Sequence, residues 1–556
     1  MGDMTGRSAR RQGVWLGLGA LLAVASLPVT GQVLPPGLVV PPGQSDPGLL
    51  RDQIEQQQRQ QRIEERARRV EVPALQGEEA APSDALPDSS PPFELQAINF
   101  NASIFLANAE LEGIAAEYVG RTLTFADLNQ MLRRINQRYA ELGQLTARAI
   151  IPPQSLDDGV LRVVLVEARV DALALTGERR VDDSFYRKRI DLPVGEVLDS
   201  PMLIESIRRF NATTPGPQVS AGLAPGESFG TTRVDLEVYE PPAWSWSLFA
   251  NNYGNESTGR EQLGATLNWF SPTGAADNLG VVLVGTRGTQ YYNLRYARPL
   301  TRTNGVGWIE AGRNSLEIKR GPLAELSIEG ESTSYGLGFD QPWVRSEKLI
   351  LMAGVGYNAL VSETTIEGLS LSEIDVQEVV LRGQVEYRAA PWYLRYDQRL
   401  RQASADNRLT GESGNFTLLN GDAYLSRAFG ERYEMVGKLG WQYATRDQEL
   451  PSALLRQFGG VSSIRGYDPG IIASPWGAHF SVEGHWRYSE RWQPFVFLDY
   501  GRAMKLGSQD VDLGSIGAGL NMRWGRFSGN LIAAGTLEKV VPEQDSGQVL
   551  LQIVFR

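Results

Sequence analysis

Residues 433–443 read YEMVGKLGWQY, and the alternation in that run decides the fold. Tyr433, Met435, Leu439, Trp441 and Tyr443 share one parity, while Glu434, Lys438 and Gln442 share the other. Successive side chains of a strand point to opposite faces, so this segment has one apolar face tipped with aromatics and one face bearing full charges. The pattern recurs. Leu263, Ala265, Leu267 and Trp269 alternate with Gln262, Gly264, Thr266 and Asn268, and Val379, Leu381, Val385 and Tyr387 alternate with Arg382, Gln384, Glu386 and Arg388. A soluble sandwich would bury the apolar face and break its strands into shorter ones. Strands of about ten residues with aromatic ends and a charged opposite face fit a transmembrane antiparallel β-barrel. The stretch 242–556 has room for about 16 such strands at about 20 residues per strand and connection. Its last residues, QVLLQIVFR, put Val549, Leu551, Ile553 and Phe555 on one face, which predicts a strand that closes the cylinder against the first one.

Composition removes most other chemistries. The 556 residues contain no Cys and two His, with a formal net charge of −11. Disulfide frameworks, thiolate metal sites and Cys nucleophiles are excluded, and a three-His metal site cannot be assembled. An acidic chain is a poor nucleic-acid binder, because neutralising phosphates needs a basic excess. No cofactor, metal or catalytic residue is expected. Arg7, Arg10 and Arg11 precede an apolar stretch from about Val14 to Leu27, followed by small and turn residues. That order reads as a secretory signal over residues 1–31, and no second apolar run of that length follows. An exported chain of this kind crosses a membrane with strands or not at all.

Residues 32–92 cannot build a core. Pro35-Pro36, Pro41-Pro42 and Pro91-Pro92 bracket a stretch rich in Pro, Glu, Gln, Arg and Ala. Within it, residues 49–69 (LLRDQIEQQQRQQRIEERARR) predict a helix over about 46–69, with Asp46 as N-cap and Pro47 at the first position. Past Leu50 only Ile54, Ile63 and Ala67 are apolar, so no apolar stripe exists. A helix polar all round bridges solvent, frays, or sits in a polar tunnel. Residues 93–168 and 169–241 each predict a small α/β unit. The first carries Leu128, Met131, Leu132, Ile135 and Tyr139 at helical spacing after Thr124. The second repeats the order, with a helix around Pro201 to Phe210. Edge strands of such units are natural places for an extended partner to add itself.

Three local motifs remain. Gly226-Glu227-Ser228-Phe229-Gly230 matches a nucleophile elbow, but the elbow needs a helix after it and Thr231 to Val238 reads as a strand. No nucleotide-binding loop is present: Gly437-Lys438 is followed by Leu within a strand. The informative run is GGVSSIRGY, residues 459–467. Gly466 permits a tight turn that lets Arg465 project while Tyr467 packs. Residues 494–501, PFVFLDYG, place Val496, Leu498 and Tyr500 on the lipid-suited face and Phe495, Phe497 and Asp499 toward the lumen. Asp499 is therefore an inward carboxylate that a guanidinium from an inward-folded loop could satisfy bidentately.

The loop Ile464-Arg465-Gly466-Tyr467, the Phe497-x-Asp499 strand, two small α/β units and a polar N-terminal helix together resemble the two-partner secretion transporters. These are the haemolysin secretion/activation family within the outer-membrane assembly-factor superfamily. The resemblance spans nearly the whole mature chain, with Ile464 where the family usually has Val. It implies a 16-stranded barrel in the outer membrane, two periplasmic POTRA domains that bind an unfolded secreted exoprotein of adhesin or haemolysin type, and a plug helix within 46–69. It also implies that Arg465 pairs with Asp499 and holds the loop inside the pore. The closing strand resembles the signal read by the outer-membrane assembly machinery, through Phe555, although Arg556 follows it here. Three other readings compete. A barrel-assembly insertase shares the loop motif, a diffusion porin leaves residues 93–241 unexplained, and a hydrolase would need His479 or His485.

Overall fold

The alternating runs form strands because only the β backbone sends every second side chain to the same side. A computed structural model of the chain describes residues 46–67, 73–76, 86, 90–190, 192–321, 323–445, 450–506, 509–541 and 544–556. The secretory signal expected over residues 1–31 lies outside the described residues. Among those described, sixteen antiparallel strands close into a barrel, from Trp244–Asn251 to Gly547–Phe555, each hydrogen-bonded to its neighbour in sequence. The last strand pairs with the first from Leu248↔Phe555 to Asn251↔Gln552, a shorter ladder than that between Trp244–Asn251 and Gln262–Phe270.

Exposure is inverted relative to a soluble sheet. Leu263 is 70 % and Val549 62 % exposed on the outer wall, whereas Asp499 on the inner wall is 0 % exposed. Aromatics cluster at the end nearest the α/β units: Trp244 stacks on Trp269 with centroids 4.5 Å apart, and Trp492 meets Trp524 edge-on at 4.9 Å. Such rings favour the boundary between hydrocarbon and water. The expected strand length of about ten residues is corrected in two sectors, with strands of 15 and 16 residues at Trp492–Leu506 and Gln509–Trp524 and long ones between residues 328 and 429. Strands there reach 18 residues (Ile328–Arg345 and Leu349–Ile366) and 21 residues (Leu369–Ala389). At about 3.3 Å per residue the longest spans about 70 Å, well beyond the roughly 25 Å apolar band. The excess carries polar side chains such as Glu363 and Ser370, which hydrogen-bond to each other across the hairpin at 3.0 Å. The alternation that marks a lipid-facing strand therefore does not mark where the strand stops.

Residues 93–168 form a sheet of Ala97–Phe100, Val160–Glu167 and Ala147–Ile150. The helix Phe125–Glu141 packs on it through Leu128, Met131, Leu132, Ile135 and Tyr139, all buried against Leu161, Val163 and Leu165. Its start is set by Asp127, whose carboxylate accepts from the Thr124 amide at 2.7 Å and the Thr124 hydroxyl at 2.8 Å. Those bonds, the hydroxyl first, hold the Asp127 carboxyl below its ordinary value. The second unit has a four-stranded sheet: Leu75–Gln76, Gln218–Pro225, Thr231–Tyr239 and Arg169–Thr176. Leu203, Ile207 and Phe210 of its helix Ser200–Thr213 cover that sheet. The GESFG run is the turn between two of these strands, where the Ser228 carbonyl accepts from the Thr231 amide at 3.1 Å. No helix follows it.

Two joints set the orientation of these units. Between them, the Gln144 side chain accepts from the Ser200 amide at 3.2 Å and donates to Asp199 at 3.3 Å, and Leu145 donates to the Ser200 hydroxyl at 3.1 Å. Gln144 is buried, so Gln144→Ala strands the Ser200 amide at a cost of about 1–3 kcal/mol. The expected result is a broader distance distribution between spin labels on the two units, with barrel assembly unchanged. Against the barrel, Asn304 sits in the left-handed region (φ 62°) in the turn before strand Val306–Glu317, a conformation Asn tolerates. Its side chain donates to the hydroxyls of Thr213 at 2.9 Å and Thr214 at 2.8 Å, and accepts from Arg189 Nε at 2.8 Å. Burial depresses the Arg189 guanidinium to about 10.

Candidate functional site in the barrel lumen

A helix, a long loop and one sector of the inner wall meet inside the barrel. The helix runs from Pro47 to Ala67 and is capped as its sequence predicts: the Asp46 carboxylate accepts from the amides of Gly48 at 2.7 Å and Leu49 at 3.3 Å. It lies within the cylinder, where its polar surface faces a polar wall. Lys438 donates to Glu64 at 2.8 Å, and Arg66 pairs with Glu386 at 2.9 Å, beside Arg388 at 3.0 Å from the same carboxylate. Arg59 lies 3.7 Å from Asp422, which also binds Arg399 and, at 3.1 Å, Arg456.

The few apolar residues of the helix matter more than their number suggests. Leu49 is 0 % exposed. Ile54 packs with Val284 and Tyr291, and Ile63 with Tyr393, Tyr424 and Val436. The absence of a stripe therefore does not mean the absence of anchoring, because each apolar side chain meets its own apolar spot on the wall. The first turn is also gripped by polar contacts. Asn314 donates to the Pro47 carbonyl at 2.8 Å, Gln457 donates to the Leu49 carbonyl, and the Ser452 hydroxyl binds Asp46.

Ser452 and Gln457 belong to the segment between strands Tyr433–Ala444 and Trp476–Trp486, which folds into the barrel. A short hairpin, Arg456–Phe458 with Ile472–Ser474, forms its stem. At its tip Gly459 has φ 103°, and a Cβ there would lie 2.2 Å from the Asp468 carbonyl, so only glycine fits. Gly466 has φ 94° and turns the chain between Arg465 and Tyr467.

All four motif residues are accounted for. Ile464 is buried with Phe458, Ala503 and Leu513. The Tyr467 hydroxyl lies 2.8 Å from the Glu538 carbonyl and 3.1 Å from that of Gly514. Arg465 binds Asp499 three times: amide to Oδ2 at 3.0 Å, Nε to Oδ2 at 2.8 Å, and Nη2 to Oδ1 at 2.6 Å. Its guanidinium lies over the Phe497 ring, 3.6 Å from the centroid. The fork matches the carboxylate and the flat cation matches the ring, a combination lysine cannot supply. On the closing strand, Phe555 packs against Phe527 at 4.8 Å and Trp246 at 5.5 Å.

Several partners escaped the sequence reading. Arg465 Nη1 pairs with Glu483 at 2.8 Å and Nη2 donates to Ser481 at 2.8 Å. Lys438 lies 3.2 Å from the same Glu483. Parity alone puts Ser481 and Glu483 opposite Phe480 and Val482, so their inward direction was readable. Their meeting with Arg465 depends on the registers Ser481↔Asp499 and Lys438↔Ser481, which no local pattern reveals. Of the two histidines a hydrolase would need, His479 meets Phe458 edge-on at 6.2 Å, and His485 stacks on Phe495 at 4.9 Å while pairing with Glu483 at 2.8 Å. Among the described residues, no three acidic or histidine side chains converge as metal ligands would.

A family model described as haemolysin secretion/activation protein ShlB/FhaC/HecB matches residues 230–524, more than half of the chain. A second, POTRA domain of ShlB type, matches residues 93–168. The heme/hemopexin transporter protein HuxB of Haemophilus influenzae is 22 % identical over 487 residues, covering 80 % of this chain and 83 % of that protein. The outer membrane transporter CdiB of Dickeya dadantii is 26 % identical over 226 residues, 40 % of each. Among solved structures, CdiB from Escherichia coli superposes with a TM-score of 0.64 at 18 % identity, over 93 % of this chain and 99 % of that one. BamA from Haemophilus ducreyi lacking POTRA domains 1–3 gives 0.53 at 13 % identity, over 83 % and 99 %. At those identities the structural likeness is one of fold.

Proposed function

The chain belongs to the haemolysin secretion/activation family, and from that premise we propose how this outer-membrane transporter of two-partner secretion passes its exoprotein through the barrel. Its transmembrane barrel lies in the outer membrane, its POTRA region in the periplasm, and its partner is a secreted exoprotein. The finer reading places a first POTRA domain at 93–168, a second at 169–241, the barrel at 242–556, and a plug helix within 46–69. The cargo is an adhesin- or haemolysin-like chain that arrives unfolded. It is caught at a POTRA sheet edge, where main-chain hydrogen bonds supply grip and side-chain pockets supply selectivity. The plug helix then leaves, the cargo threads the polar lumen, and folding outside biases the direction. Arg465 and Asp499 hold the loop in place in the resting barrel. During biogenesis the outer-membrane assembly machinery reads the closing strand around Phe555.

One observation carries the capture step. Strand Gln218–Pro225 already accepts an extended segment in parallel along its outer side, Leu75↔Ala221 and Gln76↔Gly222, and the Ala221 amide donates to the Ala74 carbonyl at 2.9 Å. That side of the strand thus supports strand addition, and a cargo strand would take the place that residues 74–76 hold here. Ala221→Pro removes the outward N–H while leaving the inner ladder its carbonyls, a substitution edge strands tolerate. Export of the partner is expected to fall by about tenfold, the equivalent of about 1.4 kcal/mol of lost binding. The amount of barrel in the outer membrane should not change. Wild-type export by the proline variant would rule this edge out as the capture site.

A further inference from the structure

The lumenal helix and the loop are linked through charges of the wall, by Asp422 between Arg59 and Arg456 and by Lys438 and Glu483 between Glu64 and Arg465. Glu483 Oε1 lies 2.8 Å from Arg465 Nη1 and 3.2 Å from Lys438 Nζ, and its other oxygen is taken by His485 Nε2 at 2.8 Å. Two cations therefore divide a single oxygen. Lys438 is drawn the other way by Glu64 of the helix, whose Oε1 is 2.8 Å from the same Nζ. Glu483 and Arg465 are both buried, so screening by water is weak and the balance of these pulls is felt.

We propose that Lys438 is a positioning residue that couples the helix to the loop: with the helix in place, Glu64 holds the ammonium and leaves Glu483 to Arg465, and when the helix departs Lys438 turns onto Glu483 and loosens the loop. The asymmetry between the two cations supports this direction. Lysine is a point charge on a flexible stem and can swing between acceptors, whereas the arginine fork is fixed by Asp499 and can only lose its third partner. Contacts at the far end of the helix act in the same sense. Ser452 and Gln457, at the base of the same loop, bind Asp46 and the Leu49 carbonyl, so departure of the helix frees the loop at both ends. Helix and loop then release together, which clears the lumen in one step.

The coupling rests on Arg465 being the loop's hold, and the test separates the two. The chain has no cysteine, so Ser462→Cys at the loop tip gives a single thiol in the full-length protein. Its rate of modification by a soluble maleimide, measured in outer-membrane vesicles, reports how often the loop is displaced. Glu64→Gln is expected to raise that rate about fivefold, the lower end of usual coupling between sites. In a Lys438→Met background, or Lys438→Gln if the first does not reach the membrane, Glu64→Gln should have no further effect. An unchanged rate in Glu64→Gln, or a fivefold rise that survives loss of Lys438, overturns the proposal. Arg465→Ala is the control. If it raises the rate while Glu64→Gln does not, only the coupling fails; if it leaves the rate at the wild-type value, the hold itself fails and the coupling with it.

Discussion

Export of the partner through an Asp499→Ala barrel is expected to fall by at least tenfold, with the protein still present in the outer membrane. Asp499 accepts three N–H bonds from Arg465 and has no exposed surface, so its removal leaves a guanidinium in the lumen with one fewer carboxylate. Breaking one side of a buried pair costs about 3–5 kcal/mol when the remaining charge is stranded, and here Glu483 stays as the guanidinium's second carboxylate and softens that loss. The barrel does not need that energy to close, since its wall is a continuous ladder of main-chain bonds. The loss falls on the loop, which should become accessible to protease from outside. Arg465→Lys should resemble Asp499→Ala, because an ammonium cannot bond both carboxylate oxygens and lie flat on Phe497. The double variant Arg465→Ala/Asp499→Ala should be milder than the sum of its parts, as neither charge is then left alone. Normal export by both single variants would remove the loop's hold from the mechanism.

Deleting residues 46–67 should raise the conductance of the purified protein in planar bilayers about two- to threefold. The helix has 21 residues, so it is about 32 Å long and, at about 10 Å across, occupies on the order of 2,500 Å³. A cavity of about 1530 Å³ remains beside it, lined by Arg295, Glu310, Arg382, Arg399 and Asp422 among other polar groups. Removing the helix widens the conducting space by its own cross-section and also uncovers the wall charges it had paired. Conductance that ignores the deletion would mean that the helix does not occupy the lumen at rest, and would favour a simple diffusion pore.

Much of this architecture was readable from local pattern. Parity in 433–443 and 494–501 assigned an outer and an inner wall, and Val496 and Phe497 lie on opposite sides as that parity requires. Capping at Asp46 and helical spacing from Leu128 to Tyr139 located two helices to within a few residues. The meeting of Arg465 with Asp499 came from a resemblance; parity alone said only that Asp499 faces inward. Glu483 and Lys438 were visible as inward charges and invisible as partners. Strand length is not legible in the alternation between residues 328 and 429 or between 492 and 524, where the ladder continues past the lipid.

The amino-acid sequence by itself determined which side of each strand is wet, because a two-residue period is a property of the local backbone and needs no neighbour. It likewise determined that a helix with scattered apolar residues must lie in polar surroundings. Only the tertiary structure decided which charges share an oxygen and which spots on the wall receive Ile54 and Ile63. The helix contacts join segments hundreds of residues apart, Lys438 and Arg465 reach Glu483 from two other segments, and the geometry of both is set by strand register and barrel closure, which are collective outcomes of the whole cylinder.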